Sequence, residues 1–384
     1  MVAPARSGTD RTGSGEPGGR LAFLDALRGV AVGLVLVQHI GEQLVPAVRQ
    51  LSTSAVQLGQ MGVIVFFLCS GFIVPASLER GDPATSRGAR VRSFWRGRFF
   101  RLYPMYWLSL AGALLLDVLG RYSPPPGVDG PAWAVNAGMV QGLVGVPDAV
   151  SVYWSLAFEL IFYLAVSLLF LAGLHRRSVL LALGASACCL LAALAGPVLG
   201  HPAPLGVFCV ATMFTGTVAH RWHGGEVRLR TLAGCLAAAL AAGTALLSGT
   251  LLGHDDPALL GTRSFAPMLG AWIGAYAVFC AGLALRHRRT PRWLVRLGAV
   301  SYAVYLLHPL VLAAVPPVGG AVGTAVVWIG LTVVLSEACH RLVERPAIRL
   351  GRRLARRSPA GSAPLVPVVP VPVVPTPLVA AEPG

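Results

Sequence analysis

Arg28 and His39 stand eleven residues apart in a stretch that is otherwise apolar, Leu24-Asp25-Ala26-Leu27-Arg28-Gly29-Val30 leading to Gln38-His39-Ile40-Gly41-Glu42. In a helix, ~100° per residue brings the two within ~20° of one face, and a rise of ~1.5 Å per residue sets them ~16 Å apart. One face would then carry a guanidinium near one end and an imidazole about halfway across, with Asp25 and Glu42 on nearby azimuths. A neutral imidazole in apolar surroundings can take a proton from a hydroxyl or be acylated itself. Two plainer readings compete: Arg28 snorkels to an interface, and His39 bonds a neighbouring helix.

Three further segments carry chemistry-bearing groups. Tyr153-Trp154-Ser155-Leu156-Ala157-Phe158-Glu159 sets Ser155 and Glu159 one helical turn apart. Glu159 is read as a neutral structural acid or as the group that orients a buried base such as His39. Ser301-Tyr302-Ala303-Val304-Tyr305-Leu306-Leu307-His308-Pro309 sets Tyr305 and His308 on one face, and Pro309 frees a carbonyl one turn earlier. A proline kink packed by tyrosine explains that pattern equally. Phe94-Trp95-Arg96-Gly97-Arg98-Phe99-Phe100-Arg101-Leu102-Tyr103 interleaves arginine with aromatics. Arg98 and Arg101, three apart, aim the same way. Guanidinium forks suit phosphate oxygens, whereas the same composition also makes a plain interfacial anchor.

The elements that position these groups follow from composition. Of 384 residues, 55 % are hydrophobic and 12 % charged, about half the charged share of a soluble domain, and mean hydropathy is +0.68. An ordinary soluble enzyme is excluded. Apolar windows of ~18 residues or more, each long enough to cross ~30 Å of hydrocarbon, predict ten spans at about 24–44, 60–78, 102–119, 152–172, 178–197, 204–220, 231–252, 265–285, 297–315 and 319–340. A short apolar piece at 133–146, broken by Asn136, Gly138 and Gly142, reads as an outer loop or a re-entrant segment. The fold class is therefore an all-α integral membrane protein of about ten transmembrane helices. In such a membrane an ionisable side chain costs at least ~2.5 kcal/mol, which makes each one a functional candidate.

Charge sets the orientation. All 31 basic residues are arginine and the net charge is +15. With the N-terminus inside, only Arg49, Arg121 and Arg263 fall on the outer side, as the positive-inside rule requires. Both termini are then cytoplasmic, and the arginine excess needs no nucleic acid to explain it. Residues 1–20 read as a disordered tail, 21–350 as the membrane domain, and 351–384 as an arginine-rich and then Pro/Val-rich disordered tail. The first apolar run, holding Arg28 and His39, reads as a retained span rather than a signal peptide. The seven cysteines lie in apolar runs without metal-ligand spacing and read as small hydrophobes; no metal site is expected.

Together these segments resemble the bacterial acyltransferase-3 family of multi-pass membrane O-acyltransferases. The likeness rests on Arg28 with His39 eleven residues on, Phe66-Phe67-Leu68-Cys69-Ser70-Gly71-Phe72, Arg98-x-x-Arg101, Trp154-Ser155-Leu156-x-x-Glu159, Ser301-Tyr302 to Tyr305-Leu306-x-His308-Pro309, and Glu344-Arg345-Pro346. It runs in order over about residues 20 to 350. The resemblance implies catalysis at His39 and handling of acyl-CoA by Arg28, Arg98 and Arg101; Glu159, read from the residues themselves, is the candidate to stabilise the imidazolium of His39. Asp25, Ser155, Tyr302, Tyr305 and His308 complete the candidate site. It also implies acyl-CoA as co-substrate with no tightly bound cofactor, a hydroxyl of a cell-surface glycan or of a natural product such as a macrolide as acceptor, and the bacterial cytoplasmic membrane as location. A transporter or flippase coupling through the same intramembrane His, Glu and Arg is the rival reading, with a non-catalytic scaffold a third; no repeat relating two halves is seen.

Overall fold

The computed structural model describes residues 21–79, 84–199, 204–251 and 264–357. The polar N-terminal segment, the Pro/Val-rich tail, Arg80 and Arg263 lie outside them. All ten spans read from the sequence are helices: α1 (Ala22–Leu44), α3 (Leu58–Glu79), α4 (Arg87–Val118), α6 (Trp154–Leu171), α7 (Ser178–Leu199), α8 (Gly206–His223), α9 (Leu229–Leu251), α10 (Phe265–Ala284), α11 (Arg292–Ala314) and α12 (Gly320–Cys339). Shorter helices are α2 (Pro46–Ser54), α5 (Gly130–Ala137) and α13 (Arg345–Arg357). Among the described residues nine helices are long and apolar enough to cross a membrane. The tenth, α8, is less apolar because it ends in His220, Arg221 and His223, yet most of it is buried between α3, α7 and α9. The protein is an all-α, multi-pass membrane protein.

Its outer surface explains the apolar composition. Val198 and Val322 are 84 % and 78 % exposed, which suits contact with lipid and not with water. Since lipid supplies no hydrophobic drive between helices, close packing must join them. Gly71 of α3 and Gly216 of α8 face each other so tightly that a Cβ on either would run into the other helix's backbone. Gly298 likewise lets α11 press on the backbone of α1 at Asp25. α1 is central, packed on α3 and α11.

We call inner the end of the bundle at which α1 begins. α4 starts four turns earlier than the span read from hydropathy, and this inner half closes off neighbouring helix ends. Arg87 donates to the Leu171 carbonyl at the end of α6, Arg90 to the Leu78 carbonyl at the end of α3, and Arg96 to the Leu354 carbonyl of α13. Cations at helix C-termini meet carbonyls that have no partner within the helix.

Residues 130–149 re-enter the membrane. Tyr103, Tyr106 and Trp107 of α4 donate to the carbonyls of Gly138, Asn136 and Ala137, and Tyr103 lies about 22 Å below the outer end of α4 at ~1.5 Å per residue. The chain turns back at buried Met139, whose φ is 60°. The Asn136 side chain ties the two limbs, donating to the Ala132 and Pro147 carbonyls and accepting from the Ala149 N–H. Such irregular backbone is tolerated at depth only with its polar groups satisfied by protein.

Candidate active site

α1, α3, α4, α6 and α11 converge on a narrow chamber of about 80 Å³. Arg28, Arg98, Arg101, Glu159, Ser70 and Tyr302 are among the residues lining it. Arg98 and Arg101 face the same space, as their spacing predicts. Arg98 is held between the rings of Phe94 and Tyr163, at 5.1 and 4.9 Å, and donates to Ser77 Oγ at 3.3 Å and to Tyr163 OH at 3.5 Å. Glu159 accepts from Ser70 Oγ at 3.2 Å and from the Tyr163 hydroxyl. Three guanidinium groups thus surround one carboxylate, which leaves the chamber cationic.

The chamber opens inward. Arg28 and Arg101 also line a vestibule of about 690 Å³, together with Asp25 of α1 and Arg345, Arg349 and Arg352 of α13. Its far wall is a π-helical turn, His340–Glu344, forced where Pro346 cannot donate the N–H that would continue the α-ladder. There His340 Nδ1–H donates to Glu344 Oε2 at 2.7 Å, and Arg345 Nε–H donates to His340 Nε2 at 3.1 Å.

At the outer end of the chamber, Tyr305 donates to the Val152 carbonyl at 2.9 Å and bonds Ser155 Oγ at 2.9 Å. Tyr302 donates to the Leu102 carbonyl at 3.0 Å. Both tyrosines and Ser155 therefore fix the chamber walls. The Tyr305 ring meets Phe66 at 6.2 Å on one side and His308 at 6.1 Å on the other. His308 meets His39, with ring centroids 5.0 Å apart and planes at 85°.

His39 is therefore not at mid-depth. It lies five residues before the last residue of α1, about 8 Å from that end at ~1.5 Å per residue, just beyond the aromatic pair that closes the chamber. Glu159 bonds Ser70 and Tyr163, and His39 has its contact with His308; the two are not brought together. Tyr163 and Ser70 are site residues not singled out from the sequence. Tyr163 stands at i+4 from Glu159, where a helical partner belongs, and that spacing is a signal for it; Ser70 lies inside the Phe66–Phe72 motif, but its bond to Glu159 depends on the tertiary packing of α3 on α6.

All seven cysteines are free. Among the described residues no group of three His, Cys, Asp or Glu could hold a metal ion.

The acyltransferase domain family matches residues 21–336, which takes in every chamber residue named above. The chain belongs to the acyltransferase-3 family. Among its relatives in that family, acyltransferase MdmB of Streptomyces mycarofaciens is 27 % identical over 384 aligned positions, covering 90 % of this chain and 95 % of the relative. Exopolysaccharide production protein ExoZ of Rhizobium meliloti (strain 1021) is 30 % identical over 337, covering 80 % and 94 %. No solved structure matches the chain. The family match stops before the π-helical turn and α13, although both wall the vestibule.

Proposed function

We propose that this acyltransferase moves an acyl group from acyl-CoA to a hydroxyl of a cell-surface glycan or of a natural product such as a macrolide, in the bacterial cytoplasmic membrane, with both termini cytoplasmic. The observation that carries the reading is the cationic path from the roomy vestibule through Arg28, Arg98 and Arg101 to the aromatic pair beneath His39. Such a path suits a donor with a polyanionic head and a long, thin, uncharged arm. A vestibule of this size is within the ~300–1,000 Å³ of ordinary ligand sites. The relatives named as an acyltransferase and as an exopolysaccharide production protein are consistent with it.

In this reading the arginines hold the phosphates of CoA, by paired N–H donors, while the thioester threads outward. Phe66 and Tyr305 must part to admit it. His39, as the neutral imidazole, takes the acceptor's hydroxyl proton as the new C–O bond forms. The C–S bond then breaks, and the imidazolium returns the proton to the CoA thiolate. Attack by His39 itself, giving an acyl-imidazole that the hydroxyl then resolves, balances equally. Glu159, already engaged with Tyr163 and Ser70, sets the Arg98 pocket by holding its aromatic neighbour.

Purified protein in lipid nanodiscs, given acetyl-CoA and fractions of surface glycan or secreted metabolite, tests this. Acceptor-dependent release of free CoA thiol is expected. Binding of acyl-CoA without release under any acceptor would return the protein to the transporter class.

A further inference from the structure

His308 is wholly buried, and its Nδ1 lies 3.1 Å from the Val304 carbonyl. A carbonyl only accepts, so Nδ1 carries the hydrogen and Nε2 is left as a bare lone pair. That Nε2 is buried without a hydrogen-bond partner. An acceptor orphaned in such a place has lost its water and gained no partner, which asks for a reason. The nearest ring across the helix boundary is His39, edge to face at 5.0 Å. Gln38 Oε1 accepts the Gly59 N–H at 2.6 Å and pins this part of α1 against α3, and α1 is also packed on α11, the helix that carries His308. Glu42 on α1 acts on His39 electrostatically, and no charged group on α11 stands against His308.

We propose that His308 is the positioning residue of His39: its Nε2 accepts the N–H of the His39 ring when donor and acceptor are in place, leaving the other His39 nitrogen as the basic or nucleophilic atom. This rests on the acyl-transfer reading and gives His39 a partner that Glu159 does not provide. The tautomer is set in two steps, Val304 carbonyl to His308 and His308 to His39. As His39 takes the hydroxyl proton, the positive charge on its ring is shared with the His308 lone pair, and the proton leaves again to the CoA thiolate. No proton is lost to the lipid. A gap too long for a direct bond in the ligand-free protein is ordinary for such pairs, which tighten in the substrate complex.

The full-length protein, ¹⁵N-labelled at histidine and held in nanodiscs, tests the pairing without reference to turnover. With His308 signals assigned by their loss in His308→Gln, we expect the neutral Nδ1–H tautomer and an unprotonated Nε2 signal that shifts when His39 is replaced by alanine. A protonated Nε2, or a signal indifferent to His39→Ala, overturns the proposal. In the CoA-release assay, His308→Leu should lower kcat about 100-fold with the acyl-CoA KM unchanged, and His308→Gln, which keeps an accepting oxygen, should fall between. Wild-type kcat in a folded Leu variant, judged by its melting temperature, or a change confined to KM, overturns it too. Absence of transfer in the wild type would count against the function itself, and the histidine spectra would still decide the pairing.

Discussion

Arginines that look alike in sequence do different work once their partners are known. Arg87 and Arg90 end on the backbone carbonyls of Leu171 and Leu78, so they hold helices together. Arg98 and Arg101 face the chamber. A charge-assisted hydrogen bond is worth about 1.5–3 kcal/mol, so Arg101→Ala should raise the acyl-CoA KM about tenfold or more, with Arg101→Lys restoring only part because it lacks the planar fork. Arg90→Ala should instead lower the melting temperature and leave KM alone. An unchanged KM in Arg98→Ala and Arg101→Ala would make both plain interfacial anchors. The i,i+3 spacing was enough to pair Arg98 with Arg101, because that geometry is local. It could not tell Arg87 and Arg90 from them, since Leu171 is 84 positions from Arg87 and nothing local records the contact. The depth of His39 has a different explanation: the apolar window 24–44 ends at the same Leu44 as α1, so His39 stands five residues from the outer end by either measure, and counting from Arg28 alone sets it halfway across.

At the scale of elements, α8 shows why composition alone undervalues a span. Its last turn carries Arg221, which the sequence assigns to an inner loop; the fold buries it, 2 % exposed, against Glu79 at the end of α3 and Glu226 in the turn that follows. His175, in the turn between α6 and α7, lies 3.3 Å from the same Glu79 carboxylate. Burial holds this imidazole below its ordinary range, so at neutral pH Arg221 supplies the charge that balances Glu79. Removing one member of a buried pair costs about 3 kcal/mol or more because the other is stranded. Arg221→Met should therefore lower the melting temperature in detergent by many degrees, and adding Glu79→Gln should recover most of the loss. Equal melting temperatures for wild type and Arg221→Met would mean that solvent already reaches the pair. The ten helices were legible from their apolar windows; the interrupting Asn136, Gly138 and Gly142 marked 133–146 as no full span but left open an outer loop or a re-entrant segment, because the bonds from Tyr103, Tyr106 and Trp107 that draw it inward are tertiary. The early start of α4 was not, because residues 87–101 are helical through contacts with α3, α6 and α13 rather than through apolar burial.

Across the whole molecule, acyl transfer at His39 requires two sides, a donor arriving from the arginine-rich face and an acceptor meeting His39 near the other. Five spanning helices, α6 to α10, separate Asp129, which caps the short α5, from Arg289 between α10 and α11. Reporter fusions at the two positions should therefore report opposite sides of the membrane, with Arg289 cytoplasmic; the same side would mean that α8 does not cross. The central claim is chemical and sits at His39. His39→Gln keeps a polar group of similar size without a basic nitrogen, and His39→Ala removes the group, both easing insertion into lipid. Acceptor-dependent CoA release by the two purified variants is the direct measurement. We expect both to fall at least about 10²-fold while expressing, inserting and binding acyl-CoA as the wild type does; a glutamine variant that still turns over near the wild-type rate would contradict the role of His39 as base or nucleophile.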